Sequence, residues 1–167
     1  NVSDAIKESC DVFFYEISKK IGIDKISRVA EDFGLGKIYD VPLPNQKKGI
    51  IPSRDWKKKK YDESWYPGET LISAIGQGFV LTNPLQLAVM TSIIASNGKN
   101  VKPNIIKQKN DIKFEKLEKY QNAIKIIKNS MFKVVNENKG TAYNSRSETA
   151  PFAGKTGTSQ VRRITVA

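Results

Sequence analysis

One segment near the middle of the chain constrains the fold most, because its apolar residues lie on several sides of a helix. It spans residues 85 to 96 and includes Leu87 and Ile93. Pro84 suits the first turn of a helix, and Asn97-Gly98 is a typical helix end. A helix that is apolar all round must be buried. The segment therefore predicts a core helix that other elements cover.

Three further segments carry apolar residues at helical spacing. Residues 3 to about 21 predict a single helix, with Cys10 buried on its apolar stripe and Gly22 at its end. Asp24 is suited to cap a second helix that follows directly. Residues 122 to 135 form an amphipathic pattern that predicts a third helix, with one face in the core.

Short strands and one long loop are predicted around these helices. Four ranges have the composition of strands: 70 to 75, 101 to 107, 112 to 117 and 152 to 159. Residues 37 to 69 hold four prolines and the run Lys57-Lys58-Lys59-Lys60, which predicts a long irregular loop with solvated lysines. Helices that alternate with short strands in this order predict an α+β fold.

The composition excludes several kinds of site. The 167 residues include no histidine and one cysteine. A Ser-His-Asp relay, a histidine metal site and an internal disulfide are therefore not available to this chain. Acid–base chemistry must use Lys, Tyr, Asp or Glu, and we expect neither a metal nor a cofactor.

The net charge is strongly positive but widely spread. Lys and Arg number 28 against 17 Asp and Glu, which gives +11. Apart from the lysine run, the cations alternate with Ile, Asn and Glu, a pattern typical of solvated faces. A basic module that binds nucleic acid or an anionic surface is one alternative. The focused basic stripe with interleaved aromatic residues that is typical of such modules is missing from the sequence.

Two short motifs carry the chemistry. Lys155-Thr156-Gly157-Thr158, on the last predicted strand, places a cation and two hydroxyls beside a backbone that a ligand can approach, because Gly157 has no Cβ. Ser9-Cys10-Asp11 is weak alone, since Ser53-Arg54-Asp55 has the same form. Its position ahead of the Lys-Thr-Gly strand makes the pair informative.

Together the motifs resemble two of the three active-site elements of penicillin-binding proteins and serine β-lactamases, which are Ser-x-x-Lys, Ser-Asp-Asn and Lys-Thr-Gly in chain order. Asp11 stands where Asn is more usual. Further stretches are similar to the elongation-type class B penicillin-binding proteins, and these are residues 9–15, 65–70, 75–78 and 82–88. The resemblance implies a D,D-transpeptidase that crosslinks peptidoglycan stem peptides by serine acyl transfer from D-Ala-D-Ala and is acylated by β-lactams. It also implies a domain with an antiparallel sheet and helices packed on it.

The nucleophile motif should precede Ser9, and only eight residues do. The two Ser-x-x-Lys strings, at 96–99 and 130–133, come after it, so neither is assigned as the nucleophile. We therefore expect residues 1–167 to be part of a transpeptidase domain that is cut at both ends, with the acylating serine upstream. We expect the piece alone to be inactive.

The resemblance assigns catalytic roles to two residues. Ser9 relays a proton to the leaving D-Ala nitrogen, and Lys155 hydrogen-bonds the Ser9 hydroxyl and supplies an electropositive field. The resemblance also implies that the lysine of the absent motif is the base, which fits a sequence without histidine. A lysine can act in this way when desolvation and a nearby cation lower its pKa.

The resemblance also assigns the substrate-binding residues. Thr156 and Thr158 meet the terminal carboxylate of the donor peptide or of a β-lactam, and Gly157 allows the backbone to come close. The Thr158 N–H supplies half of an oxyanion hole. Asp11 orients the site and contacts the substrate amide.

The expected partners are the peptidoglycan stem peptide, β-lactams and a cell-wall elongation glycosyltransferase, with no nucleic acid. The expected location is the periplasmic face of the bacterial inner membrane, reached through an N-terminal anchor outside this chain. Three alternatives stay open. They are a β-lactamase or β-lactam sensor of the same fold, the basic binding module, and a pseudoenzyme that uses the fold for interaction only.

Overall fold

The described part of the chain contains seven α-helices and two 3₁₀ turns. The computed structural model describes residues 1–106 and 115–159. The helices are α1 (Val2–Lys7), α2 (Asp11–Ile21), α3 (Ile23–Asp32), α4 (Arg54–Tyr61), α5 (Pro67–Ala74), α6 (Pro84–Ala95) and α7 (Gln121–Asn136), and the 3₁₀ turns are Glu118–Tyr120 and Tyr143–Ser145. Helices α1 and α6 pack on α7, and α2 packs on α5. Within the described ranges, no helix combines the length and the apolar content needed to cross a bilayer.

The predicted core helix is confirmed as α6. Its N-cap is Asn83, whose side chain accepts from the Gln86 N–H at 3.0 Å, and Pro84 opens the first turn. Val89 and Ile93 are buried in the core, where Phe33, the C-cap residue of α3, and Ile124 of α7 meet α6. Leu87, in contrast, is 43% exposed. The expectation that α6 is covered on several sides is therefore wrong for its Leu87 side.

A buried glutamine on α6 fixes the long connection between α3 and α4. Gln86 Nε2 donates to the carbonyls of Lys37 and Lys48 at 2.7 and 2.8 Å, and its Oε1 accepts from the Gly36 N–H at 3.3 Å. Burying an amide is unfavourable unless its hydrogen bonds are made. These bonds explain how an irregular segment stays packed on the core.

The single helix predicted for residues 3 to 21 is wrong, because the chain turns between α1 and α2. Ser9 has a φ of +52°, a left-handed value that no continuous helix accommodates. The Cys10 N–H then donates back to the Ala5 carbonyl at 2.9 Å, which closes the turn. The turn displaces Cys10 from the apolar stripe, and its thiol is exposed, contrary to the prediction that it is buried.

The second helix begins two residues earlier than predicted, because its N-cap is Gly22 and not Asp24. Gly22 ends α2 as expected and also serves as the N-cap of α3, so Asp24 lies inside the first turn of α3. The Asp24 carboxylate instead accepts from the backbone N–H of Arg54 at 3.0 Å and links α3 to the start of α4. The third predicted helix is confirmed as α7.

The predicted loop of residues 37 to 69 contains a helix, α4, and the strand predicted for residues 70 to 75 is helix α5. Ser53 caps α4 by accepting from the Trp56 N–H at 3.0 Å. In α5, Pro67 occupies the first turn and Glu69 accepts from the Tyr66 N–H at 2.8 Å. Both corrections have the same cause, since these capping contacts override the local preferences of the sequence.

The lysine run on α4 is only partly solvated. Lys58, Lys59 and Lys60 are exposed, as predicted, but the Lys57 side chain is 2% exposed. Its ammonium lies 2.6 Å from Glu69 and 3.4 Å from Glu63, and it also lies 4.2 Å from the centre of the Tyr66 ring. Lys57 thus joins α4 to the start of α5.

Paired strands are scarce in the ranges 1–106 and 115–159, which show only the isolated antiparallel bridges Ile50–Leu81 and Lys99–Lys116. Residues 101–106 carry no ladder with any described residue, and Pro103 has no N–H to contribute to one, so the strand predicted for 101–107 stays a prediction. Residues 107 and 112–114 of the predicted strands lie outside the described residues. Residues 152–159 carry no ladder with any described residue, so that strand stays a prediction.

Candidate active site

Ser9 projects from the turn between α1 and α2 rather than lying along a helix. The left-handed conformation of a non-glycine residue is unfavourable, and such residues concentrate at functional sites. Hydrogen bonds from the Ser9 and Cys10 N–H groups to the carbonyls of Ile6 and Ala5 hold the turn, at 3.4 and 2.9 Å. The half-buried hydroxyl is therefore presented at a fixed point in front of α2.

The Lys-Thr-Gly segment is held against α7 by its backbone. The Gly154 N–H donates to the Met131 carbonyl at 3.1 Å, one residue before Lys155. Asn136 Nδ2 donates to the Phe152 carbonyl at 2.8 Å. Since α1 also packs on α7, the same helix positions both sequence motifs.

Lys155 brings the two motifs into direct contact. Its Nζ donates to Ser9 Oγ at 2.7 Å, and it also reaches the carbonyl and Oγ1 of Thr156 at 3.0 and 3.2 Å. A lysine ammonium has three protons and no acceptor, so these contacts use its whole donor capacity. Partial burial lowers the pKa of Lys155, against the opposing effect of the Asp11 carboxylate.

Thr141 is a member of this cluster that sequence reasoning missed. Its Oγ1 lies 3.2 Å from Ser9 Oγ and 2.9 Å from Thr156 Oγ1. Thr141 follows Gly140 just beyond α7, in a segment that the sequence shows only as a polar turn. A hydroxyl so far along the chain from Ser9 gives no local sequence signal, so only the fold reveals it.

Gln77 is the second residue that was not assigned a role. Its Nε2 donates to the carbonyl of Thr158 at 3.0 Å. It belongs to the stretch Ile75-Gly76-Gln77-Gly78, which supported the family resemblance without a role for the side chain. The contact ties the end of the Lys-Thr-Gly segment to the loop after α5. At Gly157 itself, an added Cβ would meet no described atom within 4 Å, so this face of the segment is open.

Asp11 lies near the cluster without joining its hydrogen bonds. It is exposed in the first turn of α2, and its charge acts on Lys155. Among the described residues, the Asp11 carboxylate has neither a hydrogen bond nor an ion pair. The structure therefore brings Ser9, Lys155 and Thr156 together and leaves Asp11 at the rim.

The serines of the two misplaced Ser-x-x-Lys strings make structural contacts. Ser130 is fully buried in α7 and donates to the Ile126 carbonyl at 2.7 Å. The Ser96 hydroxyl donates to the Ile93 carbonyl at 3.3 Å, at the end of α6. A hydroxyl that is bonded to its own helix in this way is a common helix feature. Neither serine belongs to the Ser9–Lys155 cluster.

The arrangement can move a proton and attract an anion. A hydroxyl that accepts from an ammonium becomes a better proton donor to a third group, and hydroxyls beside a cation suit a carboxylate. The open backbone at Gly157 allows an extended ligand to lie along the segment. These features suit the part of an acyl-transfer site that binds the substrate and supplies the leaving group with a proton, without histidine.

The sequence matches the family model described as the penicillin binding protein transpeptidase domain over residues 1–163. A curated relative, the peptidoglycan D,D-transpeptidase MrdA of Haemophilus influenzae, is 33% identical over 175 residues. That match covers 96% of this chain and 26% of the relative. The chain thus spans about a quarter of the length of that protein.

Solved structures show the same fold. The penicillin-binding protein PBP2 of Helicobacter pylori aligns with a TM-score of 0.88 at 37% identity, over 96% of this chain and 31% of the other. A chain from a peptidoglycan synthase complex, solved to show the structural coordination of polymerization and crosslinking, aligns with a TM-score of 0.80 at 34% identity. That alignment covers 94% of this chain and 27% of the other chain. These alignments confirm the predicted fold of the transpeptidase domain.

Proposed function

The chain belongs to the penicillin-binding protein transpeptidase family, and on that premise we propose that it is part of a longer elongation-type peptidoglycan D,D-transpeptidase. The enzyme takes D-Ala-D-Ala stem peptides as acyl donors and is acylated by β-lactams. The similarity to a D,D-transpeptidase over 96% of this chain supports the proposal. Because the chain spans about a quarter of that relative, we further propose that the acylating Ser-x-x-Lys lies in another part of the enzyme.

The contact between Lys155 Nζ and Ser9 Oγ carries the functional conclusion. At 2.7 Å it is a short, charge-assisted hydrogen bond between groups 146 residues apart. The left-handed turn at Ser9 and the attachment of the Lys155 segment to α7 are both needed to form it. An ammonium and a hydroxyl held in this way are suited to transfer a proton to a leaving amine.

The proton path follows from this contact. A lysine of the absent motif removes the proton of the acylating serine as that serine attacks the D-Ala-D-Ala carbonyl. Ser9 gives its hydroxyl proton to the departing D-Ala nitrogen and takes the proton that the base has removed. Lys155 keeps its own protons, and its hydrogen bond stabilises the Ser9 oxygen during the exchange. An amine of a second stem peptide then releases the ester and forms the crosslink.

The segment after Lys155 binds the donor peptide. Thr156 and Thr158 receive its terminal carboxylate in the field of Lys155, and the open face at Gly157 lets the peptide backbone approach. The Thr158 N–H contributes half of the oxyanion hole, with the acylating serine supplying the other half. Asp11, at the rim of the cluster, contacts the substrate amide.

The partners and location follow from the same premise. The enzyme works in the bacterial envelope, at the periplasmic face of the inner membrane. It acts beside a glycosyltransferase that polymerises the glycan during cell-wall elongation. The match to a chain of a peptidoglycan synthase complex supports this pairing of polymerization with crosslinking.

Labelling of the full-length enzyme with a fluorescent penicillin tests the proposal. We expect a stable acyl-enzyme in the unmodified protein, none in Lys155→Ala and normal labelling in Lys125→Ala, a matched change at an exposed lysine of α7. Near-normal labelling of Lys155→Ala would contradict the role of Lys155. Rapid release of the label would favour a β-lactamase, and no labelling of the unmodified protein would favour a pseudoenzyme.

A further inference from the structure

The loop after α7 places a third hydroxyl between the two that the motifs supply. Thr141 Oγ1 lies 3.2 Å from Ser9 Oγ and 2.9 Å from Thr156 Oγ1. The direct separation of Ser9 Oγ and Thr156 Oγ1 is longer, at 3.4 Å. The three oxygens form a triangle whose two shorter sides meet at Thr141. Neither motif contains Thr141, so only the fold assembles this arrangement.

The protons in the triangle can be counted. Lys155 donates to both Ser9 Oγ and Thr156 Oγ1, and an ammonium cannot accept. The Ser9 proton must therefore point to Thr141, to Thr156 or away from both, towards a bound substrate. Thr141 is the nearer of the two threonines, and its own single proton can go to either neighbour. The orientation of the Thr141 hydroxyl thus decides where the Ser9 proton points.

We propose that Thr141 is a positioning residue that sets the direction of the Ser9 hydroxyl, an inference that rests on the proposed function. When Thr141 accepts from Ser9, the Ser9 proton is held away from the substrate. When Thr141 donates to Ser9, that bond and the one from Lys155 fill both lone pairs of the Ser9 oxygen. The Ser9 proton is then free to point to the leaving nitrogen, and the Thr156 hydroxyl, at 3.4 Å, is the more distant acceptor. The two states differ by rotation of hydroxyl groups alone.

The backbone around Thr141 is held firmly enough for this role. Its N–H donates to the Lys7 carbonyl of α1 at 3.2 Å, and the next N–H, of Ala142, donates to the Val134 carbonyl of α7 at 3.1 Å. Gly140 lies so close to α7 that an added Cβ would come 2.7 Å from the Lys133 carbonyl oxygen. The helices that place Ser9 and the Lys155 segment therefore also place Thr141.

Acylation kinetics of the full-length enzyme with a fluorescent penicillin test this role. Thr141→Val removes the hydroxyl and keeps the shape, Thr141→Ser keeps the hydroxyl, and Thr149→Val is the matched control in the same connection. We expect Thr141→Val to lower the acylation rate constant about tenfold, with unchanged dissociation constant for the non-covalent complex. We expect Thr141→Ser to stay within about threefold of the unmodified enzyme and Thr149→Val to match it.

Two results would overturn the positioning role. One is an unchanged acylation rate constant in Thr141→Val, and the other is a Thr141→Ser variant as slow as Thr141→Val, which would show that the hydroxyl is not what matters. Thr141 is exposed, so valine should be tolerated; if Thr141→Val unfolds, Thr141→Ala supplies the same comparison. No acylation of the unmodified enzyme would overturn the proposed function together with this inference. Normal acylation of both the unmodified enzyme and Thr141→Val would overturn the inference alone.

Discussion

The side-chain amide of Gln77 donates to the backbone carbonyl of Thr158 at 3.0 Å, across 81 positions of the chain. The bond fixes the peptide next to the one whose N–H we assign to the oxyanion hole. It also connects that peptide to the loop after α5, and helix α5 packs on α2, the helix that follows the Ser9 turn. The position of Thr158 therefore depends on the loop that carries Gln77 as well as on its own segment.

Replacing Gln77 by Glu should slow acylation about tenfold, because a carboxylate of the same shape cannot donate to the Thr158 carbonyl. Gln121→Glu is the matched control, since Gln121 Nε2 also donates to a backbone carbonyl, that of Asn97, at 3.0 Å. The acylation rate of the full-length enzyme with a fluorescent penicillin is the measurement. Equal effects of the two substitutions on that rate would refute a special role for Gln77.

Lys57→Met should destabilise the transpeptidase domain. Desolvation acts to lower the pKa of Lys57, but Glu69 and Glu63 outweigh it and raise the pKa, so the ammonium is the form that the two carboxylates hold. Removing it leaves Glu69, which is only 20% exposed, without its cation. We expect a fall of several degrees in the melting temperature, measured by calorimetry.

Lys58→Met is the control for this prediction. Lys58, on the same helix as Lys57, pairs with the C-cap residue Asp62 at 2.6 Å, but both side chains are largely exposed, at 64% and 90%. Exposed ion pairs contribute little to stability, so we expect almost no change in the melting temperature. A larger loss in Lys58→Met than in Lys57→Met would contradict the structural role given to Lys57.

Acylation should decline at alkaline pH as Lys155 loses its proton. Because burial lowers the pKa of Lys155, the decline should begin below the ordinary lysine value of 10.5. Burial in the folded state disfavours the charged form of Lys155, so the charged side chain destabilises the fold. This destabilisation is fully present at a pH below the lowered pKa and disappears as the pH rises towards 10.5. In Lys155→Arg the guanidinium stays charged, so the residual acylation should lose this decline. An identical alkaline limb in both proteins would assign it to another group.

Asp32 should stabilise the fold in a pH-dependent manner. The hydrogen bond from Lys119, at 2.8 Å, and that from the Tyr120 hydroxyl, at 2.6 Å, lower the pKa of its carboxyl. This stability is present above the unfolded-state pKa and is lost as the pH falls through the lower folded-state pKa. Asp32→Asn should lower the free energy of unfolding by about 1 kcal/mol at neutral pH. Denaturant titration measures this loss.

The loss in Asp32→Asn should shrink towards zero in acid, where the native carboxyl is protonated as well. Glu148→Gln, at an exposed carboxylate, serves as the control and should change the free energy of unfolding little at either pH. A loss in Asp32→Asn that is the same at neutral and acidic pH would show that charge is not its source.

The sequence predicted the two motifs of the site but not the residues that support them. Lys155, Thr156 and Gly157 are adjacent in the chain, and the family pattern places Ser9 opposite them. Thr141 reaches the Ser9–Lys155 cluster, and Gln77 reaches the Thr158 carbonyl, from loops that carry no local pattern for such a role. Contacts of this kind depend on how α1, α5 and α7 pack, and a periodicity argument contains no information about that packing.

The fold was predictable where amphipathic periodicity decides it, as in α6 and α7. It was mispredicted where short-range contacts override composition. In α5 the β-branched residues Thr70 and Ile72 favour a strand, but Pro67 and the Glu69 contact start a helix. At Ser9 the apolar spacing continues through a left-handed turn that the pattern does not detect.

A double-mutant cycle on the acylation rate of the full-length enzyme tests the pairing of Ser9 with Lys155 most directly. The cycle compares Ser9→Ala, Lys155→Met and the double variant. If the two residues act as one unit through the 2.7 Å contact, the double variant should be no slower than the slower single variant. Rate losses that add in free energy would show that Ser9 and Lys155 act independently and would contradict the account.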